Sequence, residues 1–434
     1  RYPTPLYGRI DEEFLKLPVP AVVTPMRDHQ RYYPVRNEDG SLMPYFLTVR
    51  NGGTKAIHNV QIGNERVLRA RLDDAKFFFE NDRKKSLEGH REDLTRINYQ
   101  EGMGTMLDKA DRLQKLSDFI CDGWNLSADE KADAERAAYL SKSDLATGMV
   151  TEFTELQGEM GKEYALLDGE KKNVAKAIFE QYMPRFASDI LPQESIGRVL
   201  SMADKLDNLA ATFLRGLIPT GSQDPFALRR QTIGAVNILT DGGIHWDIRE
   251  GIRKALELLP GEKEAKETAL GQIEEFFRQR IKAIMLDEGI AYDIIDAVLA
   301  GPVDDIEALF LKARAMAESQ LKDETDLRQA VTRLANITKD KEGGAVDPSL
   351  FEVEYEKNLQ AALDEVKAEV LPLYKEYQYG KALASLKKLT APINDYLDNV
   401  MVMVDDEKVK ANRVSQLISA LDLFRAWGDF SKLV

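Results

Sequence analysis

The side chains that could perform covalent or metal chemistry are few and scattered along the chain. The four histidines show no paired spacing of the kind that zinc hydrolases use, since they lie at His29, His58, His90 and His245. There is no Gly-x-Ser-x-Gly nucleophile motif and no glycine-rich phosphate cradle. The single cysteine, Cys121, excludes a disulfide within the chain and is interpreted as a buried structural thiol. The sequence therefore predicts no catalytic residue and no metal site in this chain.

The elements that would position any binding residue begin with a short β-containing portion. Residues 20–24 and 45–49 have the composition of strands, and Asn51-Gly52-Gly53 is a turn signal. From Ile62 onward, apolar residues recur at intervals of three and four, which is typical of one buried face of a helix. We therefore expect strands near the amino terminus and helices over the rest of the chain.

The later part of the chain carries helical apolar stripes and one clear loop signal. The stripes lie at residues 359–373 and 409–424, and the loop signal lies at 341–348. The run at 400–404, Val-Met-Val-Met-Val, is predicted to be core. We expect a mainly α, multi-domain protein, α+β overall. Its four predicted parts are a β-containing portion at 1–85, a helical domain at 86–235, a helical body at 236–325 and a terminal helical bundle at 326–434.

The net negative charge of the chain limits how it could bind a nucleic acid. The formal net charge is −14, whereas phosphates attract lysine and arginine. Only residues 1–85 are net basic, with 15 basic and 11 acidic residues. Any capture of RNA must therefore use local basic patches on an acidic body. No apolar run approaches the roughly 20 residues that span a bilayer, and with one cysteine the chain fits a reducing compartment, so we expect a cytoplasmic protein with no membrane partner.

Several strings resemble the β subunit of the bacterial-type, two-subunit glycyl-tRNA synthetase family. The most recognisable is GNERVLRARLDDAKFFF at 63–79, and VTPMRDHQRYYPV at 23–35 combines an apolar run with a basic, aromatic turn. The matches are colinear and reach the carboxyl end. The others are VRNG at 49–52, LSKSDL at 140–145, ELQGEMG at 155–161, PRFA at 184–187, ADKLD at 203–207, DPFALRR at 224–230, DNVMVMV at 398–404 and ANR at 411–413.

This resemblance implies a division of labour between two kinds of subunit. In that family the α subunit carries the class II active site, which uses ATP and Mg²⁺, while the β subunit binds tRNA(Gly). The chain is therefore expected to need no cofactor of its own and to work with an α subunit in an α2β2 assembly. The family extends upstream of the string that here begins at Thr24, so an amino-terminal region is expected to be missing. Residues 326–434 resemble the DALR-type anticodon-binding domain.

The middle helical portion resembles HD domains, whose phosphohydrolase members bind a metal through histidines and aspartates. The His-Asp doublet of those enzymes corresponds here to Ser143-Asp144, and their final aspartate corresponds to Asp204. Because the histidine ligands are absent, the domain is interpreted as a scaffold near the tRNA acceptor arm. An HD-type metal phosphohydrolase is the alternative function, and an RNA-binding scaffold outside a synthetase is a third.

Candidate tRNA contacts in the first two parts of the chain form three groups. The first group could contact the α subunit instead of tRNA. Each group also has a structural interpretation: a turn held by side-chain hydrogen bonds for the first, a solvated face paired with Asp73 for the second, and a cap or ion pair with Asp224 for the third. The groups are His29, Gln30 and Arg31; Arg66, Arg69 and Lys76; and Arg229 and Arg230.

Candidate contacts with the anticodon loop lie in the last part, where unstacked bases can be read by stacking and hydrogen bonds. Lys410 and Arg413 are predicted to share one polar helix face, so reversing both charges is expected to weaken tRNA binding without loss of stability. The alternative for each residue is a solvated charge. The candidates are Arg333, Asn336, Lys339, Lys408, Lys410 and Arg413.

Overall fold

The computed structural model describes residues 2–186, 188–221, 223–319 and 325–433. The chain forms two compact units. Unit 1 comprises Arg1–Ile238 and Gly251–Leu270, and unit 2 comprises Leu239–Glu250 and Gly271–Val434. This division is coarser than the four predicted parts, whose boundaries stay predictions.

Unit 1 begins with a three-stranded antiparallel sheet. Its strands are β1 (Pro3–Arg9), β2 (Tyr33–Arg36) and β3 (Leu42–Asn51), in the order β1-β3-β2. The Phe46 ring is fully buried and stacks on Tyr32, with 4.6 Å between ring centroids. Gly8, which pairs with Phe46 across the sheet, has no room for a side chain because a Cβ would lie 2.2 Å from that ring. The strand predicted at 45–49 is confirmed.

The strand predicted at residues 20–24 is wrong, because this segment forms the short helix α1 (Val19–Thr24). Pro18 and Pro20 lie at its start, where a missing N–H costs nothing and the fixed φ suits a helix. Ala21 and Val22 are both fully buried, so the β-branched composition serves packing here and not strand pairing.

The rest of unit 1 is helical, as predicted. Helix α2 (Ile57–Asp82) buries Leu68, Leu72 and Ala75 at intervals of three and four. Helix α9 (Ser195–Leu214) is buried on nearly every side. The following helices are α3 (Leu87–His90), α4 (Met106–Gly123), α5 (Ala128–Leu140), α6 (Gly148–Glu152), α7 (Glu159–Leu167), α8 (Lys172–Glu180) and α9 (Ser195–Leu214).

The next three helices are α10 (Leu228–Gly242), α11 (Ile248–Glu257) and α12 (Lys263–Asp287), and the bounds of the two units fall within them. The remaining helices belong to unit 2. They are α13 (Tyr292–Val298), α14 (Ile306–Glu318), α15 (Thr325–Thr338), α16 (Glu354–Lys375), α17 (Tyr379–Leu386), α18 (Thr390–Asn399) and α19 (Glu407–Arg425). In the described part of the chain, no helix combines the length and the apolar character needed to cross a membrane.

The core of unit 2 confirms both predicted apolar stripes but corrects the run at 400–404. Leu359 and Val370 on α16 are fully buried, as is Leu417 on α19. The run between α18 and α19 is not wholly core. Val400 and Val402 are buried while Met401 is 74% exposed, because side chains along an extended segment alternate between opposite sides.

Candidate functional site

The first turn of α19 presents two of the candidate lysines to solvent. Asp406 caps this helix, since its Oδ1 accepts hydrogen bonds from the N–H groups of Lys408 at 2.9 Å and Val409 at 3.2 Å. Lys408 is exposed, and Lys410 is partly exposed and paired with Glu407 at 2.9 Å. Such an exposed i,i+3 pair is worth little, so both ammonium groups are available to a phosphate.

Arg413 does not lie on the polar face predicted for it. The residue is only 4% exposed, and its guanidinium donates to Glu356 at 2.8 Å, to Glu352 at 2.8 Å and to the Met401 carbonyl at 3.0 Å. Burial alone would raise the pKa of the Glu356 carboxyl, but Arg413 and the nearby backbone N–H groups hold that pKa below its usual range. Arg413 is therefore a core ion-pair residue. The double charge reversal at Lys410 and Arg413 cannot leave stability unchanged.

Helix α15 and the residue after it carry the other candidates of this domain. Asn336 lies in the last turn of the helix and Lys339 directly follows its end, and both are exposed. Arg333 is partly exposed and donates to Asp398 at 2.7 Å. Contact of these side chains with RNA stays a prediction, with Asn336 and Lys339 the better placed.

In unit 1, basic side chains of α2 form ion pairs with acidic residues other than the predicted partner, Asp73. Arg69 pairs with Asp11 at 2.6 Å and Lys76 pairs with Glu13 at 2.5 Å, so the close partners come from the segment after β1 and not from Asp73. Arg66 is exposed. The ion pairs of Arg69 and Lys76 tie α2 to that segment, and Arg66 is the most accessible of the three candidates.

The turn at 29–31 combines a packed histidine with an exposed arginine. The His29 ring stacks on Phe153, with 5.7 Å between centroids, and its Nε2 lies 3.5 Å from Glu155. Gln30 is partly exposed, and Arg31 is exposed with φ of 56°. His29 is thus held by packing, which fits the structural interpretation of this group, while Arg31 is available for contact.

The two arginines that open α10 are placed differently from each other. Asp224 caps the helix by accepting from the N–H groups of Leu228 at 2.8 Å and Arg229 at 2.9 Å, which confirms the cap interpretation. The Arg229 guanidinium donates to the Gly221 carbonyl at 2.7 Å. Arg230 is exposed and lies on the rim of a cavity in unit 1.

The sequence reasoning missed a buried charge cluster beside this cavity. Lys109 on α4 lies 2.9 Å from both Asp204 and Asp207 on α9, and Arg112 donates to Asp207 at 2.6 Å. Lys142 lies 3.0 Å from the second oxygen of Asp204. Although burial would raise the pKa of Asp204, the two ammonium groups hold it well below its usual range. The signal was available, because ADKLD places charged residues inside an otherwise apolar helical stretch.

A third lysine, Lys205, joins this cluster without touching a carboxylate. Its ammonium donates to the Met183 carbonyl at 2.6 Å and to the Ser201 hydroxyl at 2.7 Å. Burial and the neighbouring Lys142 lower the pKa of Lys205 to about 7. The cluster therefore holds more basic groups than carboxylates can pair with.

The positions that resemble HD metal ligands are buried and engaged within the protein. Asp144 accepts from the Gly158 N–H at 2.6 Å, and Asp204 is bound by lysines as described above. Within the described ranges, no three histidine, cysteine, aspartate or glutamate side chains come together in an arrangement that could hold a metal ion. Cys121 is 1% exposed, and burial raises the pKa of its thiol to about 12, which confirms the interpretation of a buried structural cysteine.

Comparison with known proteins assigns both parts of the chain. Residues 1–300 match the family described as glycyl-tRNA synthetase beta subunit, and residues 327–425 match the DALR anticodon binding domain. The chain is 45% identical over 434 residues to the glycine–tRNA ligase beta subunit of Clostridioides difficile. It is 43% identical over 441 residues to that of Desulforamulus reducens and 40% identical over 434 residues to that of Bacillus subtilis. Each comparison covers 100% of this chain but only 62–63% of the relative's length.

Proposed function

Because the chain belongs to the glycyl-tRNA synthetase β-subunit family, we propose that it is the tRNA-handling part of a glycine–tRNA ligase. It positions tRNA(Gly) for glycylation in the class II active site of an α subunit, which uses ATP and Mg²⁺. The proposed assembly is α2β2, and the proposed location is the cytoplasm. The observation that carries this proposal is the identity of 40–45% across the whole chain to proteins named as glycine–tRNA ligase beta subunits.

The geometry of the anticodon-type domain supports the tRNA-binding role. Lys408 and Lys410 lie at the start of α19, and Asn336 and Lys339 lie at the end of α15 and just after it, within the region that matches the DALR domain. Ammonium and amide donors can hold phosphates and base edges of an unstacked loop. On a chain of net charge −14, such local donors carry the attraction for RNA.

The chemistry of the cavity in unit 1 disfavours the alternative of an HD-type phosphohydrolase. Its inner wall presents the ammonium groups of Lys109, Lys142 and Lys205 around the carboxylate of Asp204. A catalytic divalent metal needs several anionic or neutral ligands that converge on one point. Three ammonium groups at the same place oppose a cation, so this wall does not support metal-assisted hydrolysis.

The proposal is tested by reversing two exposed charges in the anticodon-type domain. We expect the double variant Lys408→Glu with Lys410→Glu to bind tRNA(Gly) more weakly. The slope of the logarithm of the binding constant against the logarithm of the salt concentration should become shallower, by about one for each lost phosphate contact. Binding is measured by fluorescence anisotropy at several salt concentrations, and glycylation is measured after addition of an α subunit.

The matched control is Lys367→Glu with Lys375→Glu, which makes the same change of charge at two exposed positions of α16. This variant should bind tRNA(Gly) more tightly than the α19 variant does. Equal affinity and equal salt slope for the two variants would show that the α19 lysines do not contact tRNA.

A further inference from the structure

The cavity beside the buried charge cluster has the size of a small-ligand site. Its volume is about 490 Å³, and its walls come from α4, the segment around Lys142, the start of α10 and helix α9. Pockets of roughly 300–1,000 Å³ are typical of sites that enclose a small molecule. The cavity lies wholly within unit 1.

The charge of the cavity wall is opposite in sign to that of the whole chain. Five basic residues line it, against two acidic ones, Glu155 and Asp204. Asp204 is already ion-paired with Lys109 and Lys142, and Glu155 lies 3.5 Å from His29. Arg185 pairs with Asp189 at 2.8 Å, so Lys205 and Arg230 are the basic lining residues for which no ion pair with a lining carboxylate is seen among the described residues. The basic lining residues are Lys109, Lys142, Arg185, Lys205 and Arg230.

Lys205 is the lysine of this wall that contacts no carboxylate. Its side chain is buried, yet the two oxygen atoms that it binds, in Met183 and Ser201, are both neutral. Burial without a carboxylate favours the neutral amine, which is why the pKa of Lys205 is lowered to about 7. An anion in the cavity would stabilise the charged form of Lys205, and Lys142 lines the same cavity wall.

We propose that this cavity binds a phosphate group, held by the ammonium groups of Lys142 and Lys205 and approached past Arg230, while Lys109, whose three N–H groups face Asp204, Asp207 and Asn208, adds only its charge. A phosphate oxyanion accepts several charge-assisted hydrogen bonds at once, and lysine binds it as a point charge. Arg230 is exposed at the rim, where it attracts the anion from solvent, and Phe226 beside it offers an exposed ring to a nucleoside base. The ligand is thus a phosphate carried either by a free nucleotide or by the tRNA chain.

The two carboxylates of the cluster, Asp204 and Asp207, fix the positions of the basic side chains on the cavity wall. The Asp204 carboxylate contacts the Lys109 ammonium through Oδ1 and the Lys142 ammonium through Oδ2. Asp207 forms ion pairs with Arg112 and Lys109, and these pairs hold the Lys109 side chain in position. The wall is therefore a fixed array of donors, whose geometry is set before the ligand arrives.

The test uses the full chain without an α subunit, with inorganic phosphate and 5′-AMP as probes in isothermal titration calorimetry. We expect saturable binding of one phosphate per chain, weakened by at least about tenfold in Lys205→Met, because a hydrogen bond between charged groups is lost. Lys205→Met should remain folded, since methionine fills the same space without a buried charge. Arg230→Ala, an exposed change, gives a second variant that should also weaken binding.

The matched control is Lys172→Met, which removes an exposed ammonium from α8 in the same unit. It should bind phosphate as the unaltered chain does. The source of the phosphate is decided by competition: displacement of 5′-AMP by tRNA(Gly) indicates a phosphate of the tRNA chain, and tighter binding of 5′-AMP without displacement indicates a free nucleotide.

The proposal is overturned if the chain shows no saturable phosphate binding, or if Lys205→Met and Arg230→Ala, both folded by circular dichroism, bind phosphate as well as Lys172→Met does. This inference does not rest on the proposed function, because phosphate binding is measured without an α subunit. Its failure would leave the role of the α19 lysines in tRNA binding untouched.

Discussion

Among single residues, Arg413 and Lys408 show how two basic side chains of one helix can have unrelated roles. Lys408 is exposed in the first turn of α19, whereas Arg413, five residues later, is 4% exposed. The Arg413 guanidinium pairs with Glu356, which is fully buried. A buried ion pair adds little net stability compared with apolar side chains of similar size, but losing one partner leaves an uncompensated charge.

We therefore predict that Arg413→Met destabilises the protein by about 3–5 kcal/mol, because Glu356 is left buried without its guanidinium. Chemical denaturation of unit 2, followed by the fluorescence of the buried Trp427, measures this loss. The double variant Arg413→Met with Glu356→Gln should recover most of it, since the buried charge is then gone and the glutamine oxygen can still accept from the N–H groups of Glu352 and Val353. Lys408→Met serves as the exposed control and should change stability by less than about 0.5 kcal/mol. A single Arg413→Met variant as stable as this control would contradict the structural role.

Among secondary-structure elements, α10 illustrates how a helix start is specified by a residue outside it. Four backbone N–H groups at the start of any helix lack partners within the helix. Asp224, four residues before Leu228, supplies acceptors to two of them, the N–H groups of Leu228 and Arg229. Its negative charge also suits the positive end of the helix dipole. The same turn sets the direction in which Arg230 leaves the helix at the cavity rim.

We predict that Asp224→Ala costs about 1 kcal/mol of stability, within the 0.5–2 kcal/mol measured for lost caps. The physical reason is that two N–H groups lose their acceptor. Urea denaturation gives the change, and Asp224→Asn is the matched comparison: it keeps one acceptor oxygen where the carboxylate supplies two, so it should be less destabilising than alanine. If the alanine and asparagine variants unfold at the same urea concentration, the carboxylate is not acting as a cap.

At the scale of the whole molecule, positive charge is concentrated at a few places on an acidic chain. The net charge is −14, yet basic groups outnumber acidic ones on the cavity wall in unit 1, and exposed donors occur at the end of α15 and the start of α19 in unit 2. An acidic body repels nucleic acid in general, so contact is favoured only where the basic groups meet the phosphates together. This distribution suits selective binding of one folded RNA.

We predict that the chain alone does not catalyse glycine-dependent ATP–pyrophosphate exchange, and that exchange and glycylation of tRNA(Gly) appear on addition of an α subunit. The contribution that we propose for this chain is to hold the tRNA in place, which would turn a bimolecular encounter into an oriented one and can be worth several kcal/mol. Radiolabelled pyrophosphate measures the exchange. Exchange by the purified chain above the rate of a boiled sample would contradict the proposed division of labour.

Most helices could be predicted from the local spacing of apolar residues, because that spacing shows which side of a helix is buried. The spacing of Leu68, Leu72 and Ala75 predicted α2, and Leu417 lies on a stripe that predicted α19. Residues 20–24 were mistaken for a strand since a five-residue apolar run has no period to distinguish a helix from a strand. The candidate contacts were harder to predict, because the spacing of basic residues does not show whether a neighbouring element covers them.

The sequence by itself determined the family, the helical character and the absence of a recognisable catalytic motif. Those properties depend on short strings and on local periodicity, both of which are visible along the chain. Only the tertiary structure decided that Arg413 is buried against Glu356, and that Lys109 and Lys142 meet at Asp204. These partners are far apart in sequence, and the environment of a charge is set by the groups that surround it in space. A lysine on a solvated face and a lysine on a cavity wall have the same letter in the sequence.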